Sequence, residues 1–343
     1  MTLDPVQQIL DRFPYQVNPH VARARAHLTE WVRDTGLVLR DSARARFDHA
    51  DFGWFAAMVY PRADARHAEL TADWFAWLFL VDDQLDDGAD GRDPQQLAEV
   101  MAAMRAVLTA ADHGAALARR RDVPRAVSSL ADLWQRTAPD ASPRWRQRFV
   151  RHLQECLTTA ATWEAGNRLA GIVPDEATYI ANRRHTGAIY VCMDLIEIVE
   201  RIDVPDVVHD SPPVRTALDA ACNVVCWTND VYSLDKERSL GEVHNLAYIV
   251  QHHHGLDRDA AVDRVVRAIR AETALFLSVE AAALADHPRH AAVLVPYLAG
   301  MRSWMRGNVD WSARTRRYRP AGSVDAAAPP AEYLEAALLG SQH

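Results

Sequence analysis

The sequence is short of glycine, cysteine, positive charge and long apolar runs. Glycine occurs 14 times in 343 residues, which suits long helices. No stretch alternates Val, Ile or Thr with polar residues and no Asn-Gly pair occurs, so strand and hairpin signals are absent. No apolar run reaches the roughly 18 to 20 residues of a membrane span. The start, M-T-L-D-P-V-Q-Q, lacks the basic and apolar regions of a signal peptide, so a cytoplasmic chain without stable membrane insertion is expected. The net charge is −8, which argues against nucleic acid as the main partner, because a phosphate backbone wants a basic surface. A small anionic ligand held by a few local cations stays open. The four cysteines, Cys156, Cys192, Cys222 and Cys226, fit neither a disulfide framework nor a zinc pattern and read as buried, reduced packing residues.

Hydrophobic residues make up 49% and charged residues 24%, an ordinary soluble globular composition. A length prior of about 150 residues per domain suggests two domains. No linker separates them, so one α-helical domain over 1–343 is expected, with its core at about 15–320. Helical patterns cover 20–36, 41–58, 64–82, 94–111, 124–137, 143–166, 176–201, 212–234, 242–253, 258–285 and 288–312. Prolines punctuate them, and Pro296 should kink the last. Residues 319–343 read as a loose tail with a short helix. The fold class is all-α, a helical bundle.

The first site signal is V-D-D-Q-L-D-D-G at 81–88, directly after W-F-A-W-L-F-L. On a helix Asp82 and Asp86 face the same way, and like charges at that spacing repel by a few tenths of a kcal/mol. Aspartate also disfavours helix interiors, and anions sit badly at a helix C-terminus. A divalent cation with hard oxygen ligands would offset these penalties. The plain alternative is a solvated acidic loop.

A second signal is N-D-V-Y-S-L-D-K-E-R at 229–238. Asn229, Ser233 and Glu237 form a helical stripe rising about 12 Å, and Lys236 lies on the same face. Amide, hydroxyl, carboxylate and ammonium together suit a metal and the anion it carries. The alternative is a solvated polar face, but the preceding A-A-C-N-V-V-C-W is apolar, and buried polar groups need partners. R-R-H-T-G at 183–187 adds Arg183 and a mid-helix Gly187, which costs about 1 kcal/mol against Ala and marks a break or a close approach. Arg317 and Tyr318 end the C-terminal stretch and offer a guanidinium fork and a hydroxyl for phosphate, or a surface cap.

Taken in order, these four stretches resemble the bacterial class I terpene synthases. The first is similar to their D-D-x-x-D motif, here Asp82, Asp83 and Asp86. The second is similar to N-D-x-x-S-x-x-x-E, here Asn229, Asp230, Ser233 and Glu237. The third resembles the diphosphate-sensing arginine 46 positions before that asparagine, here Arg183, with Thr186 and Gly187 as linker and effector. The last resembles the C-terminal Arg-Tyr pair, with Asn308 and Trp311 upstream. W-E-A-G-N-R at 163–168 belongs to the likeness, which spans roughly 15–320. Thr186 stands where some members carry Asp. The Asp-x-Asp-Asp motif of protonation-initiated cyclases is missing.

The resemblance implies a bundle around a deep apolar cavity and three Mg²⁺ ions held by Asp82, Asp83 and Asp86 on one side and Asn229, Ser233 and Glu237 on the other. Asp82 would be the main ligand on its side. Arg183, Lys236, Arg317 and Tyr318 would grip the diphosphate of a linear isoprenyl substrate. Phe79, Phe75, Trp304 and Trp311 are candidate lining residues, whereas Trp74 and Trp77 read as packing. The final proton would go to diphosphate or to a carbonyl at the Gly187 break. Farnesyl diphosphate and a sesquiterpene product are expected, with geranyl and geranylgeranyl diphosphate as alternatives. A chain-elongating prenyltransferase would carry a second aspartate-rich motif, and a helical binding protein gives no reason for the motifs to coexist. A monomer or homodimer is expected.

Overall fold

In a computed structural model of the chain, residues 4–87, 94–318 and 338–339 are described, apart from 111, 113, 119 and 121. The side chains of Asp86, Asp87 and Pro94 also lie outside that description, so the assignment of Asp86 does too. Helices follow one another as α1 (Pro5–Leu10), α2 (Val21–Asp34), α3 (Asp41–Ala50), α4 (Phe52–Val59), α5 (Ala65–Asp87), α6 (Pro94–Thr109), α7 (Arg125–Thr137), α8 (Pro143–Thr159), α9 (Ala165–Ala170), α10 (Glu176–Thr186), α11 (Ile189–Glu200), α12 (Asp206–His209), α13 (Pro212–Leu240), α14 (Leu246–His254), α15 (Arg258–Asp286) and α16 (Ala291–Ser312). No strand occurs among the described residues.

The boundaries depart from the sequence pattern where a local backbone feature intervenes. The single helix expected over 41–58 is two, split at Asp51, whose φ of 52° is left-handed. The helix expected over 176–201 is split at Gly187 and Ala188. The helix expected over 143–166 passes into a π-helical turn, Ala160–Glu164, before α9. α5 and α13 run further than expected, through both polar motifs. α14 starts only at Leu246, because the Asn245 side chain caps it by accepting from Ala247 N at 2.9 Å. α16 continues through Pro296. α1 was not foreseen; Asp4 caps it and Pro5 opens it.

α13 packs on α15 and α16, α16 on α4, and α2 on α5. Two glycines let α16 approach closely. A Cβ at Gly307 would lie 2.7 Å from the Met58 backbone of α4, and one at Gly300 would lie 2.4 Å from Ile196 of α11. α16 also carries Trp304, so these contacts set one wall of the interior. Trp74 and Trp77 are fully buried. Their indole N–H groups donate to Thr137 Oγ1 at 3.0 Å and to the Ala126 carbonyl at 2.9 Å, which ties α5 to α7. The expected tail helix lies outside the described residues. Leu338 and Leu339 are buried, and the Leu338 carbonyl accepts from Ala126 N at 3.1 Å.

Candidate active site

A cavity of about 340 Å³ lies between α5, the α10–α11 break, α13 and α16. Its volume is within the range of about 300–1,000 Å³ usual for small-molecule sites. Phe55, Phe75, Phe79, Leu78, Val225 and Trp304 supply apolar surface. Asp82, Asp83, Arg183, Asn229, Lys236, Glu237, Arg317 and Tyr318 supply charge and hydrogen-bonding groups. The two sequence motifs and both cationic elements therefore meet in one place.

On the α5 wall the two leading aspartates have different surroundings. Asp83 is gripped by both terminal nitrogens of Arg317, at 3.0 and 2.8 Å. Burial works against its charge, but the Arg317 guanidinium more than offsets this and holds the carboxyl well below the usual range. Asp82 has no such partner. Burial, then Glu164, then Asp83 push its carboxyl up to about 7. Arg317 also lies 4.8 Å from the centroid of the Phe79 ring, a cation–π contact that orders both.

On the α13 wall Asn229 is held from both ends. Its Oδ1 accepts from Arg183 at 2.8 Å, and its Nδ2 donates to the Tyr318 hydroxyl at 2.5 Å. Ser233 Oγ donates back to the Asn229 carbonyl at 2.8 Å. Glu237 accepts from Asn245 at 2.8 Å, and burial followed by Asp230 raises its carboxyl. Lys236 stands near Arg317, and burial and that neighbour lower its ammonium. Asp230 points away from the cavity. It accepts from Tyr179 at 2.7 Å, from Arg183 Nε at 3.1 Å and from Leu246 N at 3.1 Å. It is an anchor that sets the reach of Arg183.

At the α10–α11 break, Ala188 takes the left-handed conformation, with φ of 53°, whereas Gly187 has φ of −72°. Gly187 is favoured by crowding instead. A Cβ there would lie 3.0 Å from the Arg183 carbonyl and 3.2 Å from Cys226 Sγ. Across the cavity the π-helical turn carries Glu164, 5% exposed, into the lining. Single π turns often mark functional positions.

Of the residues singled out from sequence, Asp82, Asp83, Arg183, Gly187, Asn229, Lys236, Glu237, Arg317, Tyr318, Phe75, Phe79 and Trp304 line this cavity. Trp311 does not. It is fully buried behind the wall, stacked on Phe55 at 4.1 Å, with its N–H given to the Ala50 carbonyl at 2.7 Å. Ser233 is buried beside the cavity and not on its surface. Trp77 packs as expected but also reaches the lining. Sequence reasoning gave no role to Glu164, Tyr179 or Asn245. Glu164 had a signal, its place in W-E-A-G-N-R, but a lone Glu in a helical pattern carries no chemistry by itself.

The donors suit a hard divalent cation. Those on the two walls are carboxylate, amide and hydroxyl oxygens, which Mg²⁺-type ions prefer. Among the described residues no three His, Cys, Asp or Glu side chains gather as a metal-holding group. The donors are divided between facing walls, and Asn and Ser make up part of the set. The rise of Asp82 comes first from burial and then from the like charges of Glu164 and Asp83, and a cation would relieve both.

Residues 73–274 match the family model described as terpene synthase family 2, C-terminal metal binding. The chain is similar to a (+)-T-muurolol synthase, (2E,6E)-farnesyl diphosphate cyclizing, of Roseiflexus castenholzii, at 35% identity over 90% of this chain and 92% of that protein. It is similar to a germacrene A synthase of Nostoc punctiforme at 30% identity, over 89% of this chain and 93% of that one. Among solved structures, the linalool/nerolidol synthase of Streptomyces clavuligerus in complex with 2-fluorogeranyl diphosphate superposes with a TM-score of 0.78 at 28% identity, covering 87% of this chain and 100% of that one. With its motif residues gathered around one cavity and its relatives aligned nearly end to end, the chain belongs to the metal-binding terpene synthases of family 2.

Proposed function

We propose that this terpene synthase ionises farnesyl diphosphate with Mg²⁺ and cyclises the resulting cation to a sesquiterpene hydrocarbon or alcohol, releasing diphosphate. The observation that carries the reading is the bridge made by Arg317 and Tyr318. These neighbours tie the two polar walls together, Arg317 on Asp83 and Tyr318 on Asn229. An anion entering between the walls would meet both donors at once, together with Arg183 and Lys236. The fifteen-carbon substrate is supported by the relative whose name specifies farnesyl diphosphate cyclisation. The geranyl analogue bound by a structural neighbour makes geranyl diphosphate the second substrate to test.

Asp82 and Asp83 from one wall, and Asn229 and Glu237 from the other, would hold the ions, three in number by the family resemblance, with Ser233 joining once its hydroxyl turns from the Asn229 carbonyl toward the cavity. When bound, the ions supply Lewis-acid stabilisation of the charge that develops on the departing diphosphate. Arg183, Lys236, Arg317 and Tyr318 aim donors at the same group and cost little reorganisation, because they are already held in place. Asp230 and Asn229 fix Arg183, and Asp83 fixes Arg317. The apolar wall excludes water, which would otherwise quench the allylic cation early. The rings of Phe75 and Trp304 offer aromatic surface to that cation, worth about 2 kcal/mol or more each when desolvated, whereas Phe79 is held between Phe52 and Arg317.

The test is incubation with Mg²⁺ and, separately, geranyl, farnesyl and geranylgeranyl diphosphate, with gas chromatography–mass spectrometry of a hexane extract. A cyclic fifteen-carbon product from farnesyl diphosphate alone is the expected result. A longer prenyl diphosphate formed only with added isopentenyl diphosphate would replace the reading with chain elongation.

A further inference from the structure

Asn245 lies outside every motif that the sequence singled out, yet it is fully buried and all its polar capacity is used. Its Oδ1 accepts from the backbone N–H groups of Ala247 at 2.9 Å and Tyr248 at 3.3 Å. Those groups can only donate, so the amide orientation is settled. Its Nδ2 must then face the other way, where it donates to the Asp230 carbonyl at 2.7 Å and to Glu237 Oε2 at 2.8 Å. One side chain thus caps α14 and restrains a carboxylate two turns along α13.

The far end of this strut is itself anchored. Glu242 accepts from Val243 N at 2.7 Å and from His244 N at 2.8 Å, and it pairs with His244 Nδ1 at 2.6 Å. Arg168 of α9 donates to Glu242 at 3.0 Å. The segment between α13 and α14 is therefore held against the opposite rim of the cavity, and Asn245 inherits that placement. With Oε2 engaged, Glu237 keeps Oε1 for a cation and loses the freedom to turn away.

We propose that Asn245 is a positioning residue for the metal site: it orients the Glu237 carboxylate so that one oxygen faces the cavity, and it makes the order of the α13–α14 segment a condition of metal affinity. This rests on Glu237 being a metal ligand. Partners that orient a metal-binding carboxylate are commonly worth about 10- to 100-fold in affinity.

The test separates capping from orientation. Serine and aspartate both cap helices well, so Asn245→Ser and Asn245→Asp keep the start of α14. Serine loses the donor to Glu237, and aspartate sets an acceptor against it. Mg²⁺ is titrated calorimetrically into the full chain in the presence of inorganic diphosphate, for the parent, both variants and Glu237→Gln. Mg²⁺ affinity should weaken by roughly 10-fold or more in both Asn245 variants, with metal-free diphosphate binding unchanged. Should the serine variant fail to fold, the near-isosteric aspartate variant carries the measurement. Parent-like Mg²⁺ affinity in the folded Asn245 variants, with affinity lost in Glu237→Gln, would overturn the positioning role and leave the metal reading standing. Parent-like affinity in all of them would overturn both.

Discussion

Replacing Asp82 by asparagine should stabilise the metal-free protein while ending its turnover. The Asp82 carboxyl is pushed from its ordinary 3.8 up to about 7 by burial, Glu164 and Asp83. Between those values the folded chain holds a proton that the unfolded chain releases. Stability therefore falls as pH rises through that window, and above it the native carboxylate is charged at a cost. The rise corresponds to roughly 4 kcal/mol at about 1.4 kcal/mol per tenfold change in proton affinity. Asp82 keeps some exposure toward the cavity, and screening there reduces the figure to about 2 kcal/mol. Asparagine has the same shape without the charge. In a chain of this length that gain raises the melting temperature by roughly 3 °C. The assay is thermal unfolding followed by circular dichroism in a chelator at pH 8, repeated toward pH 4. The variant should melt higher at pH 8, and the gap should shrink steadily as Asp82 of the parent takes up its proton. Mg²⁺ with inorganic diphosphate should raise the melting temperature of the parent much more than that of the variant. A variant that melts below the parent at pH 8, or that turns over at the parental rate, would refute the picture of Asp82 as crowded charge awaiting a cation.

Gly187→Ala should lower turnover by about 10-fold or more, because its Cβ would crowd the Arg183 carbonyl and Cys226 Sγ, and small displacements of reacting groups are costly; Gly187→Ala combined with Cys226→Ala should recover part of the loss in a steady-state assay. Phe79→Ala removes the ring that seats Arg317 and part of the cavity wall, so a cation–π contact of about 2 kcal/mol is lost, or roughly 30-fold in rate if it all serves ionisation. Its product profile by gas chromatography should shift toward early-quenched alcohols. Gly307→Ala would press a methyl group on the Met58 backbone, and chemical denaturation should show a loss of about 1–3 kcal/mol.

The helical class was legible because it rests on local periodicity, and the residues that gather at the cavity were singled out by motif and family resemblance. Helix spacing brings Asn229, Ser233 and Glu237 onto one stripe, and the apolar lead-in to Asp82 reads as a buried helix ending in charge; the cavity was implied by the resemblance. What stayed hidden depends on contacts between segments distant in sequence. Trp311 and Trp304 have the same residue type and lie seven apart, yet only Trp304 lines the cavity, because Phe55 and Ala50 of the α3–α4 region cover Trp311. Asp230 sits beside Asn229 in the same motif but faces Tyr179 and Arg183. Asn245 reads as part of an ordinary helix until its amide is seen to cap α14 and hold Glu237. The split at Gly187 and Ala188 was signalled by the glycine, but its left-handed residue is the alanine.

Asp82 and Asp83 are adjacent and chemically identical, and their surroundings give them different work. Asp83 is neutralised by a bidentate guanidinium, so a cation arriving there gains less than it would from a bare carboxylate. Asp82 is disfavoured as a charge first by burial and then by Glu164 and Asp83, so it gains more from a cation than Asp83 does. That supports Asp82 as the principal metal ligand and Asp83 as the residue that aims Arg317. A guanidinium has five N–H donors, and the Asp83 fork uses one donor on each terminal nitrogen. The remaining donors are open to a diphosphate without breaking the fork. Under the proposed function one motif would then serve both halves of ionisation, the cation through Asp82 and the leaving group through Asp83 and Arg317. Arg317→Lys separates these uses, because lysine keeps a charge but cannot form the fork. Diphosphate affinity should fall in that variant while Mg²⁺ binding at Asp82 persists, and calorimetry of each ligand alone and of the two together would reveal the split. Equal loss of both would mean that the two aspartates act as a single unit.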